Sequence, residues 1–131
     1  MTPATPETWR WADFSPAEMQ CQHCGAHGMD PAYMDALQAL RSSYGKPLPV
    51  TSAYRCPDHP IEAAKPEPGA HTSGQAADLL VTREDAYRVL KLAFQIGFGG
   101  IGVNQKGDVR FLHLDTIKSE PMRPRPTVWS Y

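Results

Sequence analysis

"GAHTSGQAADLLV", residues 69–81, decides how the chain folds. Its second half, "QAADLLV", is a short apolar run with the character of a buried strand. Ala76 and Ala77 are small enough to let a neighbouring strand pack closely. One carboxylate, Asp78, interrupts the run, and His71 precedes it across a turn at Ser73-Gly74. Such a turn can aim both side chains inward, at one place. A lone Asp at a strand start also suits a turn or a cap, so spacing alone leaves the choice open.

A partner for the pair lies further on, in "RFLHLDT", residues 110–116. Residues two apart in a strand share a face. Phe111, His113 and Asp115 then point one way, and Leu112 and Leu114 point into a core. A catalytic zinc site takes three protein ligands, imidazole nitrogens and carboxylates among them, and leaves a fourth position open. His71, Asp78 and His113 form a candidate set of that kind. A His in a strand can equally be a satisfied, half-buried residue.

The rest of the chain supplies a frame. Ser15 and Pro16 have the residue types of a helix start, as do Asp30 and Pro31. Met34, Leu37, Leu40 and Tyr44 form one helical stripe, which Gly45 ends. "LPVTSAYR" reads as a strand and "CPDHPIEAAKPEPGA" as a long Pro-rich loop. Thr82 with Asp85 resembles a capping box. The helix it opens carries Ala86, Val89, Leu90, Ala93 and Phe94 on one face, and Gly97 ends it. "GGIGVN" and "VRFLHLDT" read as strands joined by a hairpin loop. The glycines at 97, 99, 100 and 102 are out of order for a phosphate loop and instead permit a bulge or close backbone approach. The expected class is α+β, with a mostly antiparallel sheet and flanking helices.

The chain has 131 residues, which suits a single domain spanning 1–131. Residues 1–13 are expected to form an arm, and 118–131 a Pro-rich strap, with Trp9, Trp11 and Trp129 anchoring the two ends. A formal net charge of -1 gives no basic footprint for nucleic acid and no polybasic membrane signal. No apolar run approaches the ~18 residues of a membrane-spanning helix. The opening "MTPATPETWRWADF" lacks the layout of a signal peptide, so no export signal is expected. A monomer is expected.

"SAYRCPDHP", "HTSGQAAD", "GFGGIGVN" and "FLHLD", in this order, resemble the zinc D-Ala-D-Ala carboxypeptidase and murein endopeptidase family. The resemblance is closest to its small single-domain branch, found in bacteria and phages. "DFSPAEMQCQHCG" matches the opening of that branch, and the resemblance runs from about residue 13 to 116. It implies the fold shared with Hedgehog signalling domains. It also implies Zn2+ held by His71, Asp78 and His113, and peptidoglycan stem peptides as substrate, cut by attack of a zinc-bound water. Arg55 matches the residue that holds a carboxylate of the peptide, a task that suits the fork of a guanidinium. Ser52 is expected to assist beside it. Many relatives place a Glu base three residues before the last zinc histidine, but here that residue is Arg110, which cannot take a proton. Asp115 is the expected replacement base, its alternative role being to orient a zinc ligand. Asp108, in the hairpin loop, is a weaker choice. Gly69 and Pro60 depart from the family's usual Ser and Asn, on the loop rimming the site.

The function so implied is a zinc metallopeptidase acting on the cell wall as endopeptidase or carboxypeptidase. Its expected setting is a phage lysis or virion-associated enzyme made in the host cytoplasm. The alternative is a non-catalytic binding module that keeps the fold and zinc site, an alternative that Arg110 favours. The cysteines stand apart from both. "CQHC" is half of a structural zinc site, to which Cys56 and one of His23, His27 or His59 could add. With no second Cys-x-x-Cys, buried thiols or a single disulfide are the expected state of Cys21, Cys24 and Cys56.

Overall fold

The computed structural model describes residues 2–131. A 3-10 turn at Pro6–Thr8 leads into helix α1, Pro16–Met19. The start of α1 is a reciprocal capping box: Glu18 N–H donates to Ser15 Oγ at 3.2 Å, and Ser15 N–H to Glu18 Oε1 at 2.7 Å. Helix α2, Pro31–Tyr44, starts where Asp30 accepts from Ala32 N–H at 3.2 Å. It ends on Gly45 at φ 79, a left-handed conformation that glycine adopts without strain. Strand β1, Val50–Ser52, helix α3, Pro60–Ala63, and a 3-10 turn at Ala70–Ser73 follow. Then come β2, Ala76–Leu79, α4, Arg83–Ile96, β3, Gly100–Asn104, β4, Phe111–Asp115, and β5, Thr127–Ser130.

The five strands form one sheet in the order β1-β2-β4-β3-β5. All neighbours are antiparallel except β3 and β5, which run parallel. The α+β class with a mostly antiparallel sheet is therefore as expected. Register fixes the faces. Leu114 pairs with Ala77 and Ile101, and Leu112 with Leu79 and Val103. This side joins Tyr33, Met34, Leu37, Leu40, Val89 and Ala93 from α2 and α4 in one core. Tyr33 Oη donates to Leu114 O at 2.9 Å, which satisfies the one polar atom that this ring brings inside. On the opposite face His113 lies between Asp78 and Gly102, and Asp115 between Ala76 and Gly100.

Several local expectations change. The tail is not only a strap: residues 127–130 add β5 to the sheet edge. Trp11, one of the expected anchors of the arm, is 3% exposed, and its Nε1 donates to Asp35 Oδ1 at 2.8 Å. Thr82 makes no side-chain cap, and the Asp85 carboxylate that a capping box would use is taken by Lys46 at 3.1 Å. Phe94 is 59% exposed rather than in the core. At 3.6 residues per turn it lies about 80° round the helix from Ala86, at the rim of the apolar stripe.

Candidate metal centre

His71 is set by a turn fastened to the start of α2. Gly74 closes the turn at φ 74, and a Cβ there would run into the carbonyl oxygen of Gly28. Asp30 N–H donates to Gly74 O at 2.9 Å, and Gln75 Nε2 to Asp30 Oδ2 at 3.1 Å. The His71 ring then meets Ala53 O through Nδ1 at 2.7 Å. A carbonyl only accepts, so Nδ1 carries the hydrogen and Nε2 presents a lone pair.

That lone pair faces Asp78 Oδ1 at 3.3 Å, and His113 Nδ1 approaches the same oxygen at 3.2 Å. The ligand atoms of His71, Asp78 and His113 all lie within 4.8 Å of one another, and all three residues are buried. Ligands on a tetrahedral zinc with bonds of ~2.0–2.2 Å sit about 3.3–3.6 Å apart, so the donor set fits such an ion. Burial pushes the Asp78 carboxyl up, but the two histidines outweigh it and hold it well below the usual carboxylate range. Burial alone would lower His113; the Asp115 and Asp78 carboxylates outweigh that and raise it.

Asp115 does not face the cleft. It is fully buried, and Oδ2 accepts from His113 Nε2 at 2.7 Å. Arg125 holds the same carboxylate in a fork, Nε to Oδ1 at 2.9 Å and Nη2 to Oδ2 at 2.7 Å. Ile117 N–H adds a weaker bond to Oδ1 at 3.4 Å. Burial raises this carboxyl, but His113 and Arg125 bring it down to about 2. With both oxygens engaged it has no free lone pair aimed at a water in the cleft. Asp115, the expected base, is thus turned away from the cleft and bonded to the far nitrogen of the His113 ring, whose Nδ1 faces Asp78. Gly100 is part of that arrangement, since a Cβ there would collide with the Asp115 carboxylate.

The ligand set opens into a cleft of about 300 Å³. Arg55, Lys65, Phe111, Trp129 and Tyr131 line it with the three ligands. Trp129 lies against the His113 ring at 5.0 Å between centroids, over Gly102, where a Cβ would meet the indole. The glycines of β3 thus serve close approach, as the sequence suggested. Arg55 Nη1 donates to Glu62 Oε2 at 3.2 Å, and Nη2 stands 4.0 Å from Asp78 Oδ2. Glu62 is 3% exposed and also accepts from Gly69 N–H at 2.8 Å, Lys65 Nζ at 3.1 Å and Thr72 Oγ1 at 3.2 Å. Burial raises it, but these donors bring it down to about 2.

Ser52 pairs with Asp78 across β1 and β2, half-buried and not on the cleft wall. Arg110 Nε is turned to Gly107 O at 3.1 Å, and Asp108 is exposed in the hairpin loop. Glu62, Arg125, Trp129 and Tyr131 were not singled out for the site from sequence. Glu62 lies in α3, within a stretch that reads from sequence as a Pro-rich loop, and the other three lie in a tail without periodicity; the aromatic residues there are the available signal.

The family model described as Peptidase M15 matches residues 12–115. The matched span holds His71, Asp78, His113 and Asp115 and stops short of Arg125, Trp129 and Tyr131. No curated protein and no solved structure gives a significant match.

Proposed function

The chain belongs to the peptidase M15 family, and from that premise we propose that it is a zinc-dependent peptidase of peptidoglycan stem peptides. The observation that carries this reading is the convergence of ligand atoms of His71, Asp78 and His113 within 4.8 Å at the base of a cleft that also holds Arg55. A zinc ion bound there would polarise the scissile carbonyl and acidify a water.

The chain's own residues hold and orient. Ala53 O and Asp115 fix the two imidazoles in the tautomers that ligation needs. Arg55, braced by Glu62, offers its remaining N–H groups to a carboxylate of the stem peptide, and Lys65 adds a second cation beside it. Trp129, Phe111 and Tyr131 wall the cleft and limit water around the bound peptide. Mass spectrometry of purified peptidoglycan digested by the zinc-loaded protein tests the reading. New amino termini, or released terminal D-Ala, are expected, and the fragment masses identify the bond cut. If neither is released by protein that holds its zinc, the enzyme reading fails.

One observation favours a second reading, a peptide-binding module that keeps the zinc. Among the described residues lining the cleft the only side-chain carboxylate is that of Asp78, which belongs to the ligand set. No side-chain carboxylate is left to take a proton from the attacking water. Stem-peptide binding without any cleavage is the outcome that selects this module.

A further inference from the structure

A second cluster of ligand-type side chains lies outside the cleft. The sulfurs of Cys21, Cys24 and Cys56 all lie within 4.8 Å of one another, and none is in a disulfide. Two local turns bring them there. Cys21 and Cys24 flank a tight turn in which Gly25 N–H donates to Cys21 O at 2.8 Å and Cys21 N–H to Ala26 O at 2.9 Å. Gly25 closes it at φ 75. The second turn is Cys56-Pro57-Asp58-His59, closed by His59 N–H donating to Cys56 O at 3.0 Å. The two turns are tied together by Cys56 N–H, which donates to Cys21 Sγ at 3.4 Å.

Cys-x-x-Cys and Cys-x-x-His, each on its own turn, is the ligand spacing of a closed structural zinc site. Three sulfurs on an ion with bonds of ~2.3 Å would sit about 3.8 Å apart, within the observed limit. We propose that Cys21, Cys24, Cys56 and His59 hold a second, structural metal ion of the zinc type, separate from the ion of the cleft. Three thiolates select a soft or borderline cation over magnesium or calcium. His59 lies outside the group within 4.8 Å, and taking the fourth position requires its ring to turn and give up one bond: its Nδ1 now accepts from Ile61 N–H at 3.1 Å, at an exposed site where water can replace it. His23 is the rival, with its ring 6.0 Å from that of His59. It lies inside the first turn between two ligands, whereas His59 ends the second.

The placement gives the ion a task. Cys56 directly follows Arg55, and His59 caps α3, which carries Glu62. An ion clamping both turns would fix the loop that presents Arg55 to the cleft. This proposal does not rest on peptidase activity.

The test loads reduced, full-length protein with cobalt(II) and records its near-ultraviolet spectrum. Thiolate ligands give a charge-transfer band that imidazole and carboxylate do not. The band is expected in the unaltered chain and in His71→Ala, which removes a cleft ligand. It is expected to vanish in Cys24→Ser, a near-isosteric change at an exposed residue. Zinc content should fall by one ion per chain in each variant. Absence of the band in the unaltered protein overturns the proposal without reliance on any variant. So does a zinc content unaffected by Cys24→Ser. His59→Ala should lose the thiolate-held ion to a chelator at least ~10-fold faster than His23→Ala; the reverse order overturns the assignment of His59.

Discussion

Asp115 separates two kinds of chemistry that look alike in sequence. A base must face a water, whereas an orienting carboxylate must face a ligand's far nitrogen. The bond of 2.7 Å to His113 Nε2 and the fork from Arg125 place it in the second group. Asp115→Asn should therefore weaken zinc binding roughly 10–100-fold, read by competition with a chromogenic chelator. A base would instead lose hydrolysis with zinc affinity intact. Arg125→Ala leaves the Asp115 charge buried and short of a partner, and should cost about 3–5 kcal/mol in urea unfolding. Gly100→Ala acts on the same carboxylate by crowding it, with an expected loss of about 1–3 kcal/mol. His71, Asp78 and His113 are legible as a candidate set because period-two alternation in β4 and the turn before β2 are local features. The choice between the two roles of Asp115 is not local, since its partner Arg125 is placed by β5 pairing with β3.

At the scale of elements, β5 differs most from expectation. Thirteen prolines across the chain favour reading the tail as a strap, and an edge strand of four residues has too few positions to show a period. Its effect on the cleft is direct. Parallel pairing sets Trp129 opposite Gly102, so the indole covers the one residue that leaves it room beside His113. The two glycines of β3 are legible as points of close approach, but what approaches Gly102 depends on a strand outside the matched span. Trp129→Ala should cost about 1–3 kcal/mol, below the range of a fully buried Trp, because the ring is half-buried. Zinc affinity should change less than ~10-fold, since the ring touches His113 without setting its tautomer. The larger effect is expected in the KM for stem peptides, through the lost wall. Loss of zinc on the scale of Asp115→Asn would mean that β5, rather than Asp115, fixes His113.

For the whole molecule, the buried ionisable groups of this face set a pH optimum that depends on the metal. Asp115 and Glu62, at about 2, and Asp78, also lowered, have folded values below their unfolded ones. Their stabilisation is present above the unfolded values, about 4, and is lost as pH falls toward the folded ones. His113 has the opposite sign: raised in the fold, it stabilises below its unfolded value of about 6.5, and this is lost as pH rises through the folded value. Metal-free protein should therefore be most stable between about pH 4 and 6.5. Zinc reverses the upper limb, because ligation needs His113 Nδ1 without its proton and affinity grows as that proton leaves. An ion at a hundredfold excess over its Kd adds about 2.7 kcal/mol, a Tm shift on the order of 10 °C for a domain of this size. Melting curves with zinc and with a chelator, taken from pH 5 to 8 in Cys24→Ser protein, isolate the cleft ion from the thiolate cluster. The difference in Tm should widen steadily across that range. A difference that is flat, or shrinks with rising pH, would mean that His113 is not a ligand, whatever its distance from Asp78.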